Sequence, residues 1–255
     1  MAALTTLLPE TKRVAVVGDL HANLRYMMKV LYKAFQNTTS PADVILQVGD
    51  FGVWGTFVQK VEDALAERFP GKYVLFVDGN HEQHDWLDAQ PVDEDGVRRL
   101  TEHVWHLPRG FRWQWGQAVC LAAGGAISVD REWRTVGHNW FPRERMSPQE
   151  YMRAVSGGKV DVVFAHDAPP GYEIPGLPPQ GTFPPGVVAD ANLYRQEVMG
   201  GVGEATRPEL WFHGHYHSQY DAEVSWQDGT LCKVHGLDCD TNPLDKVIKF
   251  WDVPA

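Results

Sequence analysis

Short apolar runs recur along the chain at residues 13–17, 44–48, 73–77, 160–165 and 209–212, each closed by a glycine, aspartate or histidine. Near-continuous runs of this kind are what strands buried on both faces require. Between the first three the period lengthens: Leu24, Met27, Met28, Leu31 and Phe35 fall on one helical face, and Phe57, Val61 and Leu65 on another. Strand, helix, strand, helix, strand predicts a parallel sheet with helices packed against it. Runs at 104–107, 111–115 and 118–123, joined by Pro108-Arg109-Gly110 and Gly116-Gln117, predict antiparallel pairing and the start of a second sheet. Ser147-Pro148-Gln149-Glu150 has the capping serine, early proline and third-position glutamate of a helix start.

Residues 168–186 are rich in proline and glycine and predict a stiff surface loop, either a linker or a wall over a site. A helix over 191–199 should stop at Gly200-Gly201. Runs at 224–227 and 230–234 around Asp228-Gly229 predict a hairpin, and 247–253 a last strand. One domain over 1–255 accommodates all of these.

Composition changes this picture mainly through charge. With 33 acidic against 23 basic residues the net charge is -10, and no Lys/Arg run is present, so a long nucleic acid is an unfavoured partner. No apolar stretch approaches the roughly 20 residues of a membrane span. The first 13 residues lack a basic region followed by an apolar block, so a cytoplasmic, membrane-free protein is expected. Cys120, Cys232 and Cys239 match no zinc spacing and read as small apolar residues.

The chemistry sits at the strand ends, where open α/β folds place their ligands. Asp19, His21, Asp50, Asn80, His81, His166, His215 and His217 all follow an apolar run. Asp19 and His21, two apart, would point to one side of an extended exit. Carboxylates, imidazoles and an amide oxygen without thiolate suit Mn, Fe, Zn or Ni, and the set is large enough for two ions. Such ions lie about 3.5–4 Å apart and share a carboxylate in two-metal sites. A single aspartate after glycine is usually a turn residue, and a single histidine usually a hydrogen-bonded one. Five such motifs on successive strand ends are not coincidence.

The ordered motifs Asp19-Leu20-His21, Gly49-Asp50, Gly79-Asn80-His81-Glu82, His166 and Gly214-His215-Tyr216-His217 resemble those of the calcineurin-like metallophosphoesterases. The stretch Gly124 to Arg131, followed by Trp140-Phe141-Pro142, looks like members from actinobacteria and their phages. The resemblance implies a four-layer αββα sandwich of two mixed sheets with the metal site at the carboxyl ends of the strands. It implies one metal on Asp19, His21 and His217, another on Asn80, His166 and His215, Asp50 bridging them, and His81 as general acid beside the leaving oxygen. Metal-hydroxide attack on a phosphate ester would follow, with manganese the first choice of cofactor.

The chain departs from the family at one place. Protein phosphatases continue the second motif as G-D-x-x-D-R, with a carboxylate orienting the catalytic histidine and an arginine gripping phosphate, whereas Val53 and Trp54 stand there. Loss of that arginine weakens a dianionic monoester more than a diester, which tilts the expected substrate toward small phosphodiesters, 2′,3′-cyclic nucleotides first. Trp54 offers a face for a base, or is a packed rim residue. Arg131, Arg134 and His138 are candidate phosphate contacts, and Glu82, Asp85 and Asp167 candidate orienters of His81. A phosphomonoesterase, a nuclease and a metal-free protein-binding scaffold are the alternatives.

Overall fold

The computed structural model describes residues 4–255, and their strands form two mixed sheets. In the first, Arg13–Val17, Val44–Val48, Tyr73–Val77 and Val104–His106 run parallel in that order. Ile248–Asp252 and Arg98–Arg99 close its edges antiparallel. In the second, Ala118–Ala123, Val162–Ala165, Leu210–His213 and Leu231–Gly236 run parallel. Arg112–Trp115 pairs antiparallel with the first of these and parallel with Thr5–Thr6, and Tyr220–Ser225 pairs antiparallel with the last.

Alternation along the strands creates four layers. Ala15, Val17, Ile45, Val74 and Phe76 face helices Leu24–Phe35 and Phe57–Arg68, while Val14, Val16, Leu46, Leu75 and Val77 face Trp113, Cys120, Phe164 and Phe212 of the second sheet. On that sheet's far side, Leu121, Val163 and Trp211 pack with Ala154 of helix Pro148–Ser156 and with Met199 and Val202. Both strand faces are therefore apolar, which is why the runs are continuous. The expected αββα sandwich of two mixed sheets is present, and the Ser147–Glu150 capping box forms as predicted.

Two expectations need correction. Residues 104–106 extend the first sheet, parallel to Tyr73–Val77, so the second sheet begins only with the hairpin that follows. Val162–Ala165 and Leu210–His213, whose sheet the apolar runs leave open, join the second sheet. The helix starts at Pro185 and does not stop at Gly200-Gly201 but runs, through a π-helical segment Arg195–Met199, to Thr206. These glycines answer to packing: a Cβ on Gly201 would lie 2.3 Å from the Tyr151 hydroxyl, and helix continuation costs less than that clash.

Two buried polar groups hold the strand ends in place. Gln47, the only polar residue in its strand, has its amide nitrogen on the carbonyls of Gly18 and Gly49 and accepts from the Gly49 amide, tying two exits together. Asp78 accepts from Arg109 Nε at 2.8 Å and faces His106 Nε2 at 3.1 Å. Burial alone would raise the Asp78 pKa, but the Arg109 guanidinium outweighs it and holds the carboxyl well below its usual range.

Candidate active site

The strand exits bring all eight predicted residues to one end of the sandwich. The turn after Arg13–Val17 is not extended: Leu20 and His21 both donate their amides to the Asp50 carbonyl, and His21 and Ala22 take left-handed φ of 46° and 57°. Asp50, His215 and His217 are left-handed as well, at 55°, 68° and 48°. Non-glycine residues in this region carry strain of about 1–3 kcal/mol each, and such strain gathers at functional sites.

Two donor groups share Asp50. Its Oδ2 is 3.5 Å from His21 Nε2 and its Oδ1 3.5 Å from His166 Nε2. Around the first, Asp19 Oδ2 lies 3.1 Å from His217 Nε2, and Asp19, His21 and His217 have donor atoms within 4.8 Å of one another. Around the second, Asn80 Oδ1 lies 2.9 Å from His166 Nε2, and the His166 and His215 rings meet edge to face at 5.0 Å. Asp19, Asp50 and His166 form a further group within 4.8 Å, so Asp19 reaches both halves.

The outer bonds of these side chains fix which atoms face inward. His166 Nδ1 is 2.9 Å from the Val48 carbonyl, which assigns its proton there and leaves Nε2 as the donor atom. The Asn80 amide donates to Ser128 Oγ at 2.9 Å, and Ser128 donates its amide and hydroxyl to Glu144, so the Asn80 oxygen is turned inward. This role belongs to the Gly124–Arg131 stretch.

The electrostatics are those of a cation site. Burial opposes charge on His21, yet Asp50 and Asp19 push its imidazole up to about 10, and His166 reaches about 9 by the same balance. Hydrogen bonding to Asp19 lifts His217 to about 11. Asp50, although buried, is held well below the carboxylate range by His166 and His81. The field that stabilises imidazolium here equally favours a divalent ion.

The motif glycines fit a crowded cradle. A Cβ on Gly79 would sit 2.1 Å from Asp50 Oδ1, and one on Gly214 2.0 Å from Asp19 Oδ1. Gly214→Ala is therefore expected to displace the Asp19 carboxylate, weakening divalent-metal binding by roughly 10- to 100-fold. Calorimetric titration with Mn²⁺ checks this; unchanged affinity would show that Asp19 does not need that space.

His81 stands at the edge of the first group, its ring 5.6 Å from that of His21, and its amide donates to Asp50 Oδ1 at 2.7 Å. None of the expected carboxylates orients it. Glu82 accepts the amides of Phe51, Gly52 and Val53 at 2.8–2.9 Å and so holds the Asp50 loop; burial and the Asp50 charge push its pKa up to about 7. Asp167 accepts from Tyr216 and Ala168, and Asp85 is exposed on a surface helix. Arg134 takes the place instead. Its guanidinium lies 2.9 Å from Nδ1 and 2.7 Å from Nε2 of His81, backed by Asp130 at 2.7 Å. Burial pulls the His81 pKa down, and Arg134 adds to this against the opposing charge of Asp50.

The other substrate candidates divide. The Trp54 Nε1 donates to the His81 carbonyl at 2.7 Å and its ring tilts against Phe141, so Trp54 anchors the loop as a packed rim residue. Arg131 turns away to Asp190 at 2.6 Å, and His138 is exposed, so neither reaches His81 as Arg134 does. Of the 168–186 loop, the first part is tied down: Tyr172 bonds Tyr220 at 3.1 Å, and Arg195 donates to the Pro169 and Tyr172 carbonyls. Phe183 at its other end packs on Trp133, next to Arg134, which favours a wall over a linker. Among the described residues, no helix is long and apolar enough to cross a membrane.

A family model described as calcineurin-like phosphoesterase matches residues 12–219. No curated protein matches the sequence significantly. Among solved structures the chain is similar to GAP50, the anchor in the inner membrane complex of Plasmodium, at 12% identity over 89% of this chain and 71% of that one, with a TM-score of 0.40. It is similar to the phosphopantetheinyl hydrolase of Mycobacterium tuberculosis at 14% identity, covering 96% and 97%, with a TM-score of 0.48. A protein serine/threonine phosphatase from Saccharomyces cerevisiae, with similarity to human phosphatase PP5, follows at 12% identity, 99% and 85% coverage, and a TM-score of 0.34.

Proposed function

The chain belongs to the calcineurin-like phosphoesterase family and is a metal-dependent phosphoesterase, and from that premise we propose that it holds two divalent ions and hydrolyses small phosphodiesters, 2′,3′-cyclic nucleotides first among them. The observation that carries the two-ion reading is the split of Asp50, one oxygen toward His21 and the other toward His166. Oxygen and imidazole donors without thiolate suit manganese, iron, zinc or nickel, and manganese is the first of these to test. Bound ions would supply the positive charge that attracts phosphate into an acidic protein and would make a water nucleophilic near neutral pH.

The chain's own residues do the rest. Asp19, His21 and His217 would hold one ion, Asn80, His166 and His215 the other, and Asp50 both. Arg134, in the segment that follows Gly124–Arg131, would face the anionic ester and, drawn onto a phosphate oxygen, free a ring nitrogen of His81. With Arg134 drawn off, the Asp50 charge favours His81 as imidazolium, its proton taken from solvent. It gives that proton to the departing alkoxide as the bond from phosphorus to that oxygen breaks and the bond to the water oxygen forms, the water's own proton leaving to solvent. The Trp54 bond to the His81 carbonyl keeps that loop in register.

Preference for diesters rests on the missing arginine of the second motif, since a dianionic monoester loses more than a monoanionic diester when Val53 and Trp54 stand where a guanidinium would grip phosphate. Metal-loaded protein is expected to hydrolyse 2′,3′-cyclic nucleotides and bis-p-nitrophenyl phosphate faster than p-nitrophenyl phosphate. Arg134→Ala should cost roughly 10- to 100-fold in kcat/KM on diesters, the worth of one charged hydrogen bond. Faster monoester turnover would overturn the diester assignment.

A further inference from the structure

The segment after the family-matched residues returns to the metal site. Leu231–Gly236 pairs parallel with Leu210–His213, with Phe212 opposite His235 and His213 opposite Gly236, so the loop that follows leaves the sheet at the same end as His215 and His217. That loop is tightly held: Asp238 donates its amide to the Lys246 carbonyl, Asp238 Oδ1 accepts from Cys239 and Asn242, and the Tyr26 hydroxyl donates to the Asn242 carbonyl at 2.6 Å. Gly18 packs directly under it, where a Cβ would stand 2.1 Å from the Asp238 carbonyl oxygen.

From this loop the Asp240 carboxylate, only 10% exposed, reaches back 219 positions to His21. Its Oδ1 lies 3.0 Å from His21 Nδ1, and its Oδ2 accepts from the Asn23 amide at 2.6 Å. The Nδ1 proton is thereby assigned to the Asp240 bond, and Nε2 faces Asp50. Carboxylate, imidazole and open ring nitrogen stand in the order that orients a metal-binding histidine and strengthens it as a donor. The equivalent bond of His166 goes to a neutral carbonyl, that of Val48. His21 is therefore backed directly by a charge and His166 by a dipole.

We propose that Asp240 is a positioning residue that makes the Asp19, His21 and His217 half the tighter ion site. The proposal rests on the two-ion reading above. It is tested by calorimetric titration of the parent protein, Asp240→Ala and Asp240→Asn with Co²⁺ alone, a probe ion that takes the same donors. The parent should bind two equivalents with unequal affinity. Asp240→Ala should lose roughly 10- to 100-fold on the tighter equivalent and little on the other, and Asp240→Asn, which keeps an acceptor but no charge, should fall between. In the Co²⁺-loaded parent, the exchangeable His21 Nδ1 proton should give a shifted NMR signal that Asp240→Ala loses by exchange with water. A parent that binds fewer than two ions would overturn the two-ion reading itself. A parent that binds two while Asp240→Ala keeps both affinities within twofold would overturn the role of Asp240 alone. Equal losses at both equivalents would likewise count against it, since they report general loosening of the site.

Discussion

On the proposed two-ion phosphodiesterase reading, Asp50→Asn is expected to lower diester turnover by roughly 10³-fold and to reduce bound metal from two equivalents to one or none. The substitution preserves shape and removes one negative charge from the point where both donor groups meet, with His21 and His166 each 3.5 Å from a different oxygen. An amide presents one oxygen and one N–H₂ group, so one half of the site would face a donor where it needs an acceptor. Metal-ion catalysis contributes several kcal/mol of transition-state stabilisation, and each 1.36 kcal/mol is tenfold in rate. Metal analysis together with steady-state kinetics decides the matter. Two retained equivalents with turnover within tenfold of the parent would remove Asp50 from the shared position.

His81→Ala is expected to keep the metal content of the parent and to lose about 10²- to 10⁴-fold in kcat on esters with poor leaving groups. The structure makes this a clean substitution. The contacts that hold residue 81 to the site, its amide on Asp50 and its carbonyl under Trp54, belong to the main chain and survive removal of the ring. The loss should shrink on p-nitrophenyl esters, whose leaving group needs little help from a proton. A uniform loss across leaving groups, or loss of metal, would rule out the proton-donor role.

What could be read from residues alone was set by local chemistry. Apolar runs at 13–17, 44–48 and 73–77 had to be strands buried on both faces, and the glycines after them had to be turns, whichever neighbours they acquired. Gly49, Gly79 and Gly214 further mark where another backbone or side chain comes too close for a Cβ. Asp50, Asn80 and His215 follow those glycines directly, so they were visible as well.

Sheet membership was not. Residues 104–106 and 162–165 look alike in sequence, yet one joins the first sheet and the other the second, because pairing is chosen by what the returning chain meets. Gly200-Gly201 carries every sign of a helix stop, but Tyr151 and Trp226 pack against that helix and need its small residues. The partners that aim the site were hidden for the same reason: Arg134 is 53 positions from His81, Ser128 is 48 from Asn80, and Asp240 is 219 from His21. Periodicity and turn preference act within a few residues, and they determined the strands, the turns and which side chains stand at the strand ends. Hydrogen-bond partners across the fold depend on where distant segments come to rest, so which nitrogen of each histidine faces the site, and what holds it there, was decided only by the tertiary structure.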